Sequence, residues 1–358
     1  MIDFRYHIVS LISVFLALAV GIILGAGPLQ GAIGDQLTGQ VEQLRLERNE
    51  LRDQLDATNL QAADNKEFIV AAGPQLVAGS LQDRRVAVVD LGDVDGDRYE
   101  AVQEQLENAG ASVVGHVRLG ADWTAEDKED ARKTAATEVT NLVPGVDEAG
   151  TDEKLAAALA TSLTAKQLAA PEARTSEAVL IEQKLADVKL IEVVQPQDVP
   201  ADVVLLLEPQ ASTAPSSDAT GEATVDEAKA YAVSVEVLLA QAAQARSEGA
   251  LVAGSTPVTG DLISTITADG DLAAVLSTVS GIEEAPGQIS VPLALAARLG
   301  DKVGQYGFED GATAVIPPAV QLPPVDRTPP GAPESTSGTD ATSGTDATAG
   351  ATDTQTEG

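Results

Sequence analysis

Cysteine is absent from this chain, and methionine occurs once, at position 1. No disulfide can form, so stability must come from an ordinary packed core. Thiolate-bound zinc, iron–sulfur clusters and thiol catalysis are excluded as well. Histidine occurs twice, as His7 and His116, and nine of the 358 residues are aromatic. Basic residues are also scarce: 22 Lys and Arg stand against 55 Asp and Glu, a formal net charge of -33. That balance excludes nucleic acid as a partner, because phosphate binding needs a basic footprint. It also opposes docking on an anionic lipid surface by charge alone. Little conventional enzyme chemistry remains.

The chain does have a long apolar run. Residues 8–29 carry no charge over 22 positions, and as a helix they would span roughly 33 Å, enough for the hydrocarbon core of a bilayer. A cleaved signal peptide would have a shorter apolar region and an A-x-A-like junction, whereas here Gly25-Ala26-Gly27 is followed by Pro28. The expectation is an uncleaved, single-pass transmembrane helix. Arg5 and the terminal amine precede it, and Asp35 and Glu42 follow it before the first basic residue, Arg45. This asymmetry keeps residues 1–7 in the cytoplasm and puts the acidic remainder outside the membrane.

Within the span, Ala17, Gly21 and Gly25 recur every four residues, a spacing that lets two membrane helices approach closely. From residue 30 to about 65 the pattern is helical and heavily charged. Leu37, Leu44 and Leu51 fall at d positions of a heptad, with Val41, Arg48 and Leu55 at a. Glu42, Glu47, Arg52 and Asp53 suit the solvated flanks. We therefore expect a coiled-coil stalk and a parallel homodimer, with Ala17, Gly21, Gly25, Leu37, Val41, Leu44, Leu51 and Leu55 at the interface. The alternative is one amphipathic helix packing on its own ectodomain.

Beyond a mixed connector at 65–81, apolar strands alternate with Ala-rich helical stretches. Strands are predicted at 85–91, 111–119, 202–207 and 250–254, and 188–194 reads as a strand or as a helix end. Helices are predicted at 99–108, 125–142, 153–168, 177–186 and 226–245. This alternation fits an extracytoplasmic α/β domain over 82–315, Rossmann-like, with a largely parallel sheet and flanking helices. Residues 272–315 resist assignment. From 316 the chain is rich in Pro, Thr, Gly and Asp, repeats SGTDAT at 337–342 and 343–348, and has nothing larger than Ala after Val325 apart from polar residues and Pro. Such a tail reads as disordered.

No catalytic, cofactor or metal residue emerges. Asp93, Asp95, Asp97 and Glu104 partly match a calcium loop, but Arg98 stands where the sharp turn needs Gly. A capped helix start, with Asp97 as N-cap and Glu100 as its partner, explains the same residues. Gly92 and Gly96 do not complete a dinucleotide fingerprint. His116 lies in an apolar run with no second histidine to form a metal pair or triad, so a structural role is expected. The same holds for Trp123 and Tyr306, read as core, and for Gly254-Ser255-Thr256-Pro257, read as a loop.

Arg5-Tyr6-His7, Val9-Ser10-Leu11, the run Val14–Ala19, Gly21 and Gly25 resemble the start of the actinobacterial copper-transporter family. Ile282-Glu283-Glu284-Ala285-Pro286-Gly287, Ile289, Val291 and Gly304-Gln305-Tyr306-Gly307 carry the similarity to about residue 315. The resemblance implies a membrane segment, a coiled coil and an α/β envelope domain, with a role in copper efflux or homeostasis. Copper(I) favours Cys and Met and copper(II) favours His, so a tight copper site within one chain is not expected. A transmembrane barrel would need many alternating strands with aromatic girdles, and only six aromatics follow the span. An inner, single-pass location is favoured over an outer-membrane one. The alternative from architecture is a non-enzymatic dimeric envelope adaptor. It would bind a cell-wall or cell-division partner, such as a peptidoglycan hydrolase, through its coiled coil and α/β head.

Overall fold

A computed structural model describes residues 4–210 and 222–329, with 26–36 and 222–226 described by their backbone alone. Two units meet between Leu76 and Val77. The first is a single helix, α1 (Phe4–Val77), of 74 residues. Leu is its commonest residue and Ala the next, and both are good helix formers. The expected connector at 65–81 is corrected by this helix, which continues through Gly73 and Pro74 to Val77. Proline removes one main-chain donor. So close to the helix end, that loss leaves room for only one further turn.

The second unit is an α/β head. Its strands are β1 (Arg85–Asp90), β2 (Ser112–Leu119), β3 (Lys166–Gln167), β4 (Ala170–Arg174), β5 (Ile191–Gln195), β6 (Val203–Leu207), β7 (Gly249–Ala253), β8 (Ser277–Val279) and β9 (Gln305–Tyr306). Its helices are α2 (Gly96–Asn108), α3 (Glu129–Thr140), α4 (Thr151–Thr164), α5 (Ser176–Asp187), α6 (Glu222–Arg246), α7 (Leu262–Ala268), α8 (Gly270–Ala273) and α9 (Ala285–Leu299).

Seven strands form one sheet in the order β5-β2-β1-β6-β7-β8-β9. All its pairings are parallel except the edge pair β2–β5. β6 and β7 are buried along their whole length, as expected of parallel strands covered on both faces. Helices α2 and α9 pack together on one face, while α3 to α6 enclose the apolar cluster on the other. The Rossmann-like expectation is met, with the ambiguous 188–194 segment resolved as the antiparallel edge strand β5.

Three local expectations are corrected. The predicted helix at 153–168 ends at Thr164 and gives way to the β3–β4 hairpin. Tertiary contacts override the helical composition there: Arg174 donates to the carbonyls of Gln197 and Ser162 and to Glu182 Oε2 at 2.6–2.8 Å. The predicted helix at 125–142 starts with a short 3-10 turn, Glu126–Lys128, before α3. The N-cap of α2 is Asp95, not Asp97.

Residues 316–329 contain no helix or strand, yet Arg327 and Val320 contact the head. Residues 330–358, the remainder of the predicted tail, lie outside the described residues.

Candidate functional site

The strand order reverses direction between β1 and β6, and open α/β sheets bind ligands at the carboxyl ends of their strands near such a switch point. The residues gathered at that edge define the candidate site.

β1 ends in Asp90, which is 1% exposed. Its Oδ2 lies 2.8 Å from His116 Nε2 and 3.7 Å from Arg118 Nε, both on β2. The His116 ring stacks on Tyr99 of α2 with centroids 4.1 Å apart. Burial, with Asp90 next and then Glu107, raises the Tyr99 hydroxyl to about 12. The structural reading of His116 holds, on a strand flanked by β1 and β5. Trp123 and Tyr306 are core residues, 1% and 2% exposed.

The loop after β1 feeds α2. Asp95 Oδ1 accepts from the amides of Asp97 and Arg98 at 3.0 and 3.3 Å, replacing main-chain partners that the first helical turn lacks. Arg98, at the position where a calcium loop needs glycine, is buried and donates to Gln210 Oε1 at 3.2 Å. Among the described residues, no group of three His, Cys, Asp or Glu is disposed to hold a metal ion.

β6 ends in Glu208. Its Oε1 accepts from Leu262 N at 3.0 Å, at the start of α7. Asp261, the N-cap of α7, uses both oxygens on main-chain amides: Ser264 at 2.7 Å and Val258 at 2.6 Å. Glu236 of α6 completes the group. Burial is the main reason that Glu208 is raised to about 7, with Asp261 adding to it. Burial also leads for Glu236, raised to about 8 with Glu208 and Asp261 contributing, while Lys229 opposes both shifts. Glu236 further lines a cleft of 480 Å³ with Asp93, Arg118, Gly120, Trp123 and Glu192. Chemically, this edge can hold protons and is lined by acid; the described residues there present no paired nucleophile and base. Sequence reasoning singled out none of Glu208, Glu236 and Asp261. The available signal was a carboxylate set among Val233, Val235, Val237 and Leu239 of α6.

The later family-like motifs prove to be packing devices. Thr256 of the predicted loop donates its amide and hydroxyl to Glu283 Oε1 at 3.0 and 2.7 Å. Gly287 lets the first turn of α9 lie against Gly281, whose carbonyl oxygen would be 2.2 Å from an added Cβ. Gln305 donates to the carbonyls of Ala273 and Leu276.

The predicted interface residues all lie on α1. Leu37, Val41, Leu44, Leu51 and Leu55 are 46–65% exposed, and no side chain comes within 4 Å of a Cβ added at Gly21 or Gly25. Because α1 is unbroken, 100° per residue carries the Ala17-Gly21-Gly25 stripe to a face about 160° away from the leucine seam. The continuous helix does not bring the two halves of the predicted interface onto one face.

Phe4–Gly25 is long and apolar enough to cross a bilayer, and the chain is membrane-associated through it. The family described as copper transport outer membrane protein, MctB, matches residues 1–317. The copper transporters MctB of Mycobacterium tuberculosis and Mycobacterium bovis are each 30% identical over 332 residues, covering 88% of this chain and 99% of theirs. That of Mycobacterium leprae is 28% identical over 334 residues, covering 89% of this chain and all of its own length. Taken with the membrane helix and the packing motifs that carry the similarity, these matches make the chain a member of the MctB copper-transport family.

Proposed function

We propose that the protein acts in copper efflux or homeostasis at the cell envelope, anchored by one membrane helix and without a tight copper site in the single chain. The match to the copper-transport family over residues 1–317 carries this reading. The donor inventory supports its second half. There is no Cys, the one Met is Met1, and His116 is engaged by Asp90, so neither the soft ligands of copper(I) nor a histidine pair is available. Copper is then cargo or signal, and the protein is not an enzyme. Residues 1–7 face the cytoplasm and the acidic head lies outside, in keeping with the charges flanking the span. The open sheet, helix-covered on both faces, favours an inner single-pass anchor over an outer-membrane pore.

A second reading follows from the exposed seam of α1. A row of leucines left in water along a stalk helix favours pairing, in parallel, with the same helix of a second copy. A dimer of that kind would serve as an adaptor presenting its heads to a cell-wall or cell-division partner. Intracellular copper in a deletion strain under copper load, measured beside cell separation, distinguishes the two. Copper accumulation reversed by re-expression is the expected result. Unchanged copper with chained, unseparated cells would replace the first reading with the second.

A further inference from the structure

We propose that residues 316–329 form an electrostatic latch across the amino edge of the sheet, opened by release of Arg327. The segment contains Pro317, Pro318, Pro323, Pro324 and Pro329, which lack a main-chain donor. Among the described residues, no main-chain to main-chain hydrogen bond ties it to the head. Two arginines hold it instead. Arg327 Nη2 donates to Asp202 Oδ2 at 2.6 Å and to the carbonyl of Asp83 at 2.9 Å, and its Nε lies 3.7 Å from Glu172 Oε1. Arg84, itself paired with Glu248, reaches the carbonyl of Pro323 at 3.5 Å. Val320 rests against Gly300, where an added Cβ would meet it at 2.6 Å.

Asp83 and Arg84 immediately precede β1, Asp202 precedes β6 and Glu248 precedes β7, so the segment crosses the amino ends of three neighbouring strands. Asp202 is 6% exposed and also accepts from the amide of Arg85 at 2.9 Å. Arg327 thus supplies the counter-charge to a buried carboxylate. Against these few contacts stands the conformational entropy of the ordered segment, about 1–2 kcal/mol per residue. The Arg327 side chain is 19% exposed and its second partner, Glu172, 57%, so salt weakens the closure from that open side. The closure is therefore held by charge and is reversible without unfolding the sheet. Its consequence is reach: opening moves the point from which residues 330–358 depart by up to about 40 Å, at about 3.1 Å per extended residue. The family match stops at residue 317, so Arg327 and all but the first two residues of the latch lie beyond it.

The cysteine-free sequence makes the test direct. Spin labels on Gln82→Cys and Thr328→Cys, in the full chain in detergent, report the distance across the latch. One narrow, short distribution is expected at low ionic strength. It should broaden toward longer distances in 1 M salt, where the screening length is about 3 Å, and in Arg327→Gln, with the circular dichroism of the helices and sheet unchanged. A parent distribution already broad at low salt overturns the latch, and so does one that stays narrow in folded Arg327→Gln. If Arg327→Gln loses the fold, the salt series on the parent decides alone: broadening supports the latch and its absence overturns it.

Discussion

His116 Nε2 and Asp90 Oδ2 meet 2.8 Å apart beneath the ring of Tyr99, both side chains at most 5% exposed. This pair joins β1 to β2 at the start of the candidate edge. Removing the imidazole takes a hydrogen-bond partner from a buried carboxylate, at a cost of about 1–3 kcal/mol. His116→Ala should lower the thermal unfolding midpoint of the detergent-solubilised chain by several degrees. A midpoint equal to that of the parent would mean that the pair contributes nothing.

The carboxyl groups of Glu208 and Glu236 bind protons more tightly in the folded chain than the usual carboxylate value near 4.5. Their stabilising contribution is complete below that value and is lost as pH rises through about 7 and then about 8. Stability should accordingly fall between about pH 4.5 and about pH 8, by about 1.4 kcal/mol at most for each tenfold gain in proton affinity on folding. Glu236→Gln removes one of the charges that face Glu208 and Asp261, and should flatten that decline. An equally steep decline in the variant would show that another group is responsible.

Gly287 tolerates no side chain, because its Cβ would collide with main-chain atoms of Gly281 and Ile282. Gly287→Ala should destabilise the head by about 2 kcal/mol or more. Denaturant titration of the full chain measures this, and a loss below about 0.5 kcal/mol would show that α9 can shift to accommodate the methyl group.

Leu44 and Leu46 are similarly exposed, 63% and 66%, but point about 160° apart around α1. If the leucine seam pairs two copies, oxidative crosslinking through Leu44→Cys should be efficient and through Leu46→Cys weak. Equal yields would remove the seam as the dimer face. Leu44→Asp with Leu51→Asp should abolish crosslinks formed elsewhere along the seam.

The strands were the most legible part of the sequence. The runs at 85–91, 202–207 and 250–254 each became a buried parallel strand within a residue or two, because strands covered on both faces must be apolar throughout. The short β8 and β9 were hidden, since Ser277–Val279 and Gln305–Tyr306 are too brief to show a period. The hairpin at β3–β4 was hidden for a different reason: Arg174 makes its decisive contacts with residues distant in sequence. Local spacing suggested Asp97 as the cap of α2, and only the path of the loop selected Asp95. The acidic group at the carboxyl edge was illegible because Glu208, Glu236 and Asp261 come from three separate elements. In so acidic a chain, no single carboxylate stands out.

The unbroken run of α1 has a mechanical meaning. Fifty-two residues separate Gly25 from Val77, about 78 Å of helix at 1.5 Å per residue. A rod of that length carries rotation about its own axis from one end to the other, because each turn is bonded to the next. Pro28 and Pro74 each delete one of those bonds. Bending will therefore concentrate at two hinges, one near each end of the rod, while torque passes through the stiff shaft between them.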